Sequence, residues 1–210
     1  MTKRVLLAAV LGGIAFFIWS SVAHVALPLG ETGVKEIPNE TSVLSAMQTS
    51  IGGTHGLYIF PGLGVGPNAS RDQKNAAMRD YDQKLASVPS GFLIYHPAGE
   101  KSLIPRKLTT EFLTELVEAF LLAIVLANLG VTTFASRVGI AVLMGLAAAI
   151  ATNVPYWNWY GFPTNYTVAY MTIQVVGYLL AGLVAAAVLG PPPKRRVEPL
   201  RPAERKDVRQ

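Results

Sequence analysis

Four apolar stretches constrain this chain more than any other feature of it. They cover residues 5–27, 111–129, 138–154 and 168–189, and each approaches the roughly twenty residues that a helix needs to cross about 30 Å of hydrocarbon. The third is short unless its aromatic end is counted, and the second carries acids. Composition agrees with lipid burial: 51% of the 210 residues are hydrophobic, 15% are charged and mean hydropathy is positive, against about 25% charged in an ordinary soluble domain. The chain has no cysteine. Disulfides and thiolate metal sites are therefore excluded, and any extramembrane part must fold on side-chain contacts alone.

Basic residues set the expected orientation. Lys3 and Arg4 precede the first stretch, Arg137 lies between the second and third, and Lys194, Arg195 and Arg196 follow the fourth, whereas the connection 155–166 carries no charge. Both termini are thus expected in the cytoplasm. The long segment 28–108 has eight basic and seven acidic residues, but segments of that length cross membranes largely regardless of charge. Seven of the eighteen basic residues fall in the last twenty positions, which reads as a membrane-edge anchor and solvated tail and not as a nucleic-acid surface. Residues 1–23 also resemble a secretory signal, with Ser21-Val22-Ala23 as a cleavage site. Apolar residues continuing to Leu27, and the loss of the basic anchor on cleavage, favour a retained helix.

The expected fold is an α-helical integral membrane protein of the cell membrane, a four-transmembrane-helix bundle with a small extracytoplasmic α/β module between helices 1 and 2. Its parts are 1–27 (cytoplasmic N-terminus and first helix), 28–108 (module), 109–190 (three further helices) and 191–210 (basic cytoplasmic tail). Within the module, helical spacing of Val43, Leu44, Met47 and Ile51 marks a helix over 39–51, with Asn39, Thr41 and Ser42 as possible caps. Runs 57–60 and 92–95 read as strands between Gly56 and Pro61 and between Gly91 and Pro97, and 70–86 reads as one helix supported by an Asp80–Lys84 pair. Two short strands and two helices bury little, so the module is expected to lean on the bilayer, the bundle or a partner.

The acids of the second stretch carry the most functional information. Glu111, Glu115 and Glu118 are spaced by four and three, so they lie within an arc of about 60° on one helix face. A carboxylate inside a bilayer costs a few kcal/mol or more and usually faces a bundle interior, water or a partner. His24 after Ser20 and Ser21, Asn153 after the small-residue stripe Ala141, Gly145 and Ala149, and Gln174 on the line of Tyr166 and Tyr170 fall at similar depth in the outer half of the bundle. His24, Glu111, Glu115, Glu118, Asn153 and Gln174 are the candidate ligand or ion pocket. Two blander readings stand beside it: that these groups satisfy one another, with Glu118 bonded to Gln174, or that Glu111 and Glu115 lie in the headgroup region. Tyr156, Trp157, Trp159 and Tyr160, in a run ending at Pro163, form an interfacial aromatic belt.

Other motifs carry less. Gly62, Gly64 and Gly66 between a strand and a helix lack the Lys-Ser/Thr ending of a phosphate loop and read as a turn. His55 and His96 border the two strands and meet only if these run antiparallel; with Glu100 as their nearest acid they make a weak metal proposal. Asn39, Asn68 and Asn165 head glycosylation triplets. Neither a carboxylate di-iron constellation nor a familiar enzyme motif is present. No cofactor, metal or nucleic acid is expected. Partners are the lipid bilayer and either further copies of the chain or other membrane-protein subunits. The function expected first is that of a non-enzymatic accessory or scaffold subunit, with a proton- or cation-coupled transporter in oligomeric form, or a quinone-type ligand-binding protein, as the alternative.

Overall fold

The computed structural model describes residues 3–99, 103–131 and 133–190. The protein is mostly helical with one two-stranded sheet. Helix α1 spans Lys3–Val25, and a 3-10 turn at Leu29–Glu31 leads into α2 (Glu40–Ile51). Strand β1 (Gly56–Phe60) is followed by α3 (Arg71–Arg79), α4 (Tyr81–Ser87) and strand β2 (Gly91–Tyr95). Three long helices complete the chain: α5 (Ile104–Asn128), α6 (Phe134–Tyr160) and α7 (Thr164–Leu189). Among the described residues, α1, α6 and α7 are long and apolar enough to cross a membrane. Helix α5 is as long, but any eighteen-residue stretch of it contains Glu111, Glu115 and Glu118 together.

The four long helices form a row, α5–α1–α7–α6. Helix α1 lies along both α5 and α7, and α7 lies along α6, whereas α5 and α6 scarcely touch. Small residues set these close approaches. A Cβ at Gly13 would come within 2.9 Å of the Leu116 backbone on α5, and one at Gly145 within 2.6 Å of Tyr178 Cβ on α7. Gly182 likewise meets Ala141, and Gly177 leaves room for the Phe16 ring. The stripe Ala141, Gly145 and Ala149 is buried in this α6–α7 seam, so it joins two helices of one chain.

Arginines close one end of the row. Arg4 Nη1 donates to Leu189 O at 3.3 Å, while Arg137 donates to Val131 O at 3.0 Å and to Gly190 O at 2.6 Å. The Leu189 and Gly190 carbonyls close the C-terminal end of α7, where the backbone has no partner of its own, and Val131 lies just beyond α5. Arg137 is therefore not a loop residue as the sequence suggests; it sits buried in the first turn of α6.

Several boundaries differ from the sequence expectation. Helix α5 begins seven residues before Glu111, at Ile104, because Pro105 fits a first helical turn where no amide hydrogen is needed. Helix α6 runs through Pro155 to Tyr160 and α7 starts at Thr164, leaving 161–163 as the connection in place of 155–166. Gly161, at φ 71°, supplies the left-handed residue that ends α6. The helix expected over 70–86 breaks at Asp80 into α3 and α4. Its start carries a full capping box between Ser70 and Gln73. Beyond the break Tyr81 donates to Pro61 O and Lys84 Nζ to Gly62 O, so tertiary bonds to the glycine turn orient α4. Asn39 does precede α2 but makes no side-chain cap.

The strands pair antiparallel, with Leu57 opposite Ile94 and Ile59 opposite Phe92. All four side chains share one face and all are exposed. Tyr95, on the other face, donates to Gly52 O. Among the described residues of 28–99, Pro61 and Tyr95 are the buried ones. The sheet touches the bundle where the Phe92 ring meets Tyr160 edge-on at 4.8 Å.

Candidate functional site

The row of helices creates the site. Because α5 and α6 flank α1 and α7 without closing on each other, a cleft remains between them, with α1 and α7 as its floor. Its volume is about 680 Å³, within the ~300–1,000 Å³ typical of small-molecule sites. His24, Glu111, Glu115, Glu118, Asn153 and Gln174 all line it. Apolar wall is supplied by Phe16, Phe17, Leu108 and Ile173.

Glu115 is the most enclosed ionisable group there, with 3% of its surface exposed. It is the twelfth of the 25 residues of α5, and Glu118 the fifteenth. Both therefore sit near the helix midpoint, deeper than a helix beginning at Glu111 would place them. Helical side chains lean toward the N-terminus, which brings Glu115 up to the buried Ser20 of α1, whose hydroxyl hydrogen-bonds the carboxylate. The other carboxylate oxygen, Oε2, is buried and has no hydrogen-bond partner among the described residues. Buried polar atoms are rarely left so, and each that is needs an explanation. Glu111, more exposed, is within electrostatic reach of both deeper acids.

Several neighbouring groups are already paired. The Tyr178 hydroxyl pairs with Glu118, so Glu118 does not depend on Gln174 as its expected partner. Asn153 Nδ2 donates to Ala149 O at 2.9 Å and to Gln174 Oε1 at 3.5 Å. His24 Nδ1 lies 2.8 Å from Ser20 O; a carbonyl accepts only, so that nitrogen carries a proton. The imidazole stands edge-on to Tyr170 at 5.9 Å. Lys107, exposed, also lines the cleft, eight residues and about 12 Å along the axis from Glu115.

Sequence reasoning missed Tyr178 and Lys107. Tyr178 was legible as the next member of the four-residue series Tyr166, Tyr170, Gln174. Lys107 was not, because the helix was expected to start after it. Tyr156, Trp157, Trp159 and Tyr160, expected as an interfacial belt, lie on the last turns of α6. Trp157 Nε1 donates to Thr164 Oγ1 at 3.1 Å across the connection, and Trp159 points outward. In the module, His55 and His96 meet at 5.7 Å across the antiparallel strands; Glu100 lies outside the described residues. Among the described residues no cluster of three or more His, Asp or Glu is placed to hold a metal ion. No protein family, curated protein or solved structure matches the chain.

Proposed function

We propose that this chain is a four-span protein of the cell membrane, with both termini in the cytoplasm and the module outside, and that it binds a small ligand in the cleft between α5 and α6. The observation that carries the binding reading is Glu115, which lines a cavity of molecular size and whose Oε2 is buried without a donor. A core assembled only for stability would do better with an apolar side chain at that position. As a fourth span α5 is chemically consistent: its acids turn toward the bundle, and its outward face carries the exposed apolar residues Leu113, Val117 and Leu121. Arg4 and Arg137 lie at one end of the row, the end that basic-residue placement assigns to the cytoplasm.

Extraction of the full chain in mild detergent, followed by mass measurement of the intact particle, tests the binding. The wild type should carry an extra small-molecule mass that Glu115→Gln loses while remaining folded. A particle with no such mass, even when extracted with its native lipids, would count against the cleft as a binding site.

A second reading, an accessory subunit docking through its outer module, draws on the exposed apolar sheet face of Leu57, Ile59, Phe92 and Ile94. The small-residue stripe Ala141, Gly145 and Ala149 lends it no support, since α7 covers that stripe. Additional protein chains in the same mass measurement would favour it.

A further inference from the structure

The chemistry of the ligand follows from which hydrogen-bonding groups the cleft has left over, and here the inference rests on the binding reading above. At Glu115 the leftover is acceptor. Ser20 and Tyr178 spend their hydroxyls on Glu115 and Glu118, Asn153 spends its amide hydrogens on Ala149 and Gln174, and Glu115 Oε2 remains without a donor. Around that atom stand two further carboxylates within electrostatic reach. The basic groups on the walls, Lys107 and His24, are both exposed.

We infer that the cleft receives an amphipathic primary amine, its ammonium seated on Glu115 with Glu118 and Glu111 behind it, and its apolar chain leaving between α5 and α6. A charged N–H donor satisfies the lone oxygen and offsets the clustered negative charge in one group. An oxidised quinone offers only acceptors, none of which satisfies the lone oxygen of Glu115. A proton alone has no use for 680 Å³ of space, and a metal ion lacks a ligand cluster among the described residues. The remaining wall, Phe16, Phe17, Leu108 and Ile173, suits a hydrocarbon chain. The gap between α5 and α6 gives that chain a lateral path, since these two helices scarcely meet.

The test uses the full chain in lipid nanodiscs and a long-chain alkylamine carrying a photoreactive diazirine on its tail. Crosslinks mapped by peptide mass should fall within 104–118 and 152–174, and should saturate. Dodecylamine should compete at about tenfold lower concentration than dodecyltrimethylammonium, which has the charge without N–H donors, and than dodecanol, which has a donor without the charge. Glu115→Gln should weaken labelling about tenfold or more with thermal unfolding unchanged. The competition order in the wild type decides the question even if that variant fails to fold. Equal competition by all three compounds, or labelling of the cleft by a neutral alkyl diazirine as well as by the amine, would overturn the amine assignment while leaving a ligand site in place. If neither probe labels the cleft, both the amine and the binding reading fall.

Discussion

Gly139 and Gly145 lie in the same helix, yet their surroundings differ. A Cβ at Gly139 meets nothing within 4 Å, whereas one at Gly145 lands 2.6 Å from Tyr178 Cβ, an atom fixed to the α7 backbone. Gly145→Ala should therefore destabilise the protein by about 1–3 kcal/mol through overpacking. Gly139→Ala should range from neutral to about 1 kcal/mol stabilising through helix propensity. Unfolding of both variants by sodium dodecyl sulfate in mixed micelles gives the comparison, and equal effects would contradict the α6–α7 seam. Glu115 poses the converse case, a residue whose removal should help the fold. Glu115→Leu takes away a buried carboxylate with an unsatisfied oxygen, and Ser20 can turn its hydroxyl to its own helix backbone. Stability should be unchanged or raised, while alkylamine labelling disappears. A large loss of stability would instead assign Glu115 a purely structural role. Tyr178→Phe, which strips Glu118 of its donor, should cost about 0.6 kcal/mol and at most about 2 in the same unfolding assay.

At the scale of elements, α1 is the helix whose loss matters most. It forms part of the floor of the cleft through Phe16, Ser20 and His24, and contributes Val5, Ala8, Ala9 and Phe16 to the core. The mature protein should therefore retain it. Sequencing of the purified chain should find residues before Val5, and a start at His24 would mean that a signal peptide had been cleaved and the cleft lost part of its floor. The outer module is the opposite kind of element. Tyr95 and Pro61 are its buried residues among those described in 28–99, so little burial opposes an ordering cost of ~1–2 kcal/mol per residue. Residues 28–108 expressed alone should show no cooperative thermal transition. A sharp transition above mesophilic temperatures would contradict this.

For the whole molecule, the absence of cysteine makes orientation directly measurable, because any thiol introduced is the only one present. Asn68→Cys should react with a membrane-impermeant maleimide in intact cells, and Gln210→Cys should react only after permeabilisation. The reverse pattern would invert the proposed topology. Labelling of both in intact cells would place the C-terminus on the same side as the module, which leaves an even number of crossings after it and removes α5 as a span.

The sequence by itself determined the number and approximate position of the long helices, with ends displaced by up to seven residues, the strand–helix–strand order of the module and the shared face of the three acids. These follow from hydrophobic runs, turn residues and a period of 3.6, all of which act within one segment of chain. It also pointed to the six polar residues of the candidate pocket, since a polar group in an apolar run is conspicuous before any folding. The helix ends were harder to read. Pro105 starts α5 and Pro155 lies inside α6, and proline is compatible with a helix start, a kink or a loop until its neighbours are known. Only the tertiary structure decided what those residues do together. That α5 and α6 stay apart, that Ser20 and Tyr178 use up their hydroxyls on Glu115 and Glu118, and that one oxygen of Glu115 is left over depend on which helices lie side by side. Adjacency is set by the fit of Gly13, Gly145, Gly177 and Gly182 to the side chains opposite them, a property of pairs of surfaces that a single strand of sequence does not encode locally.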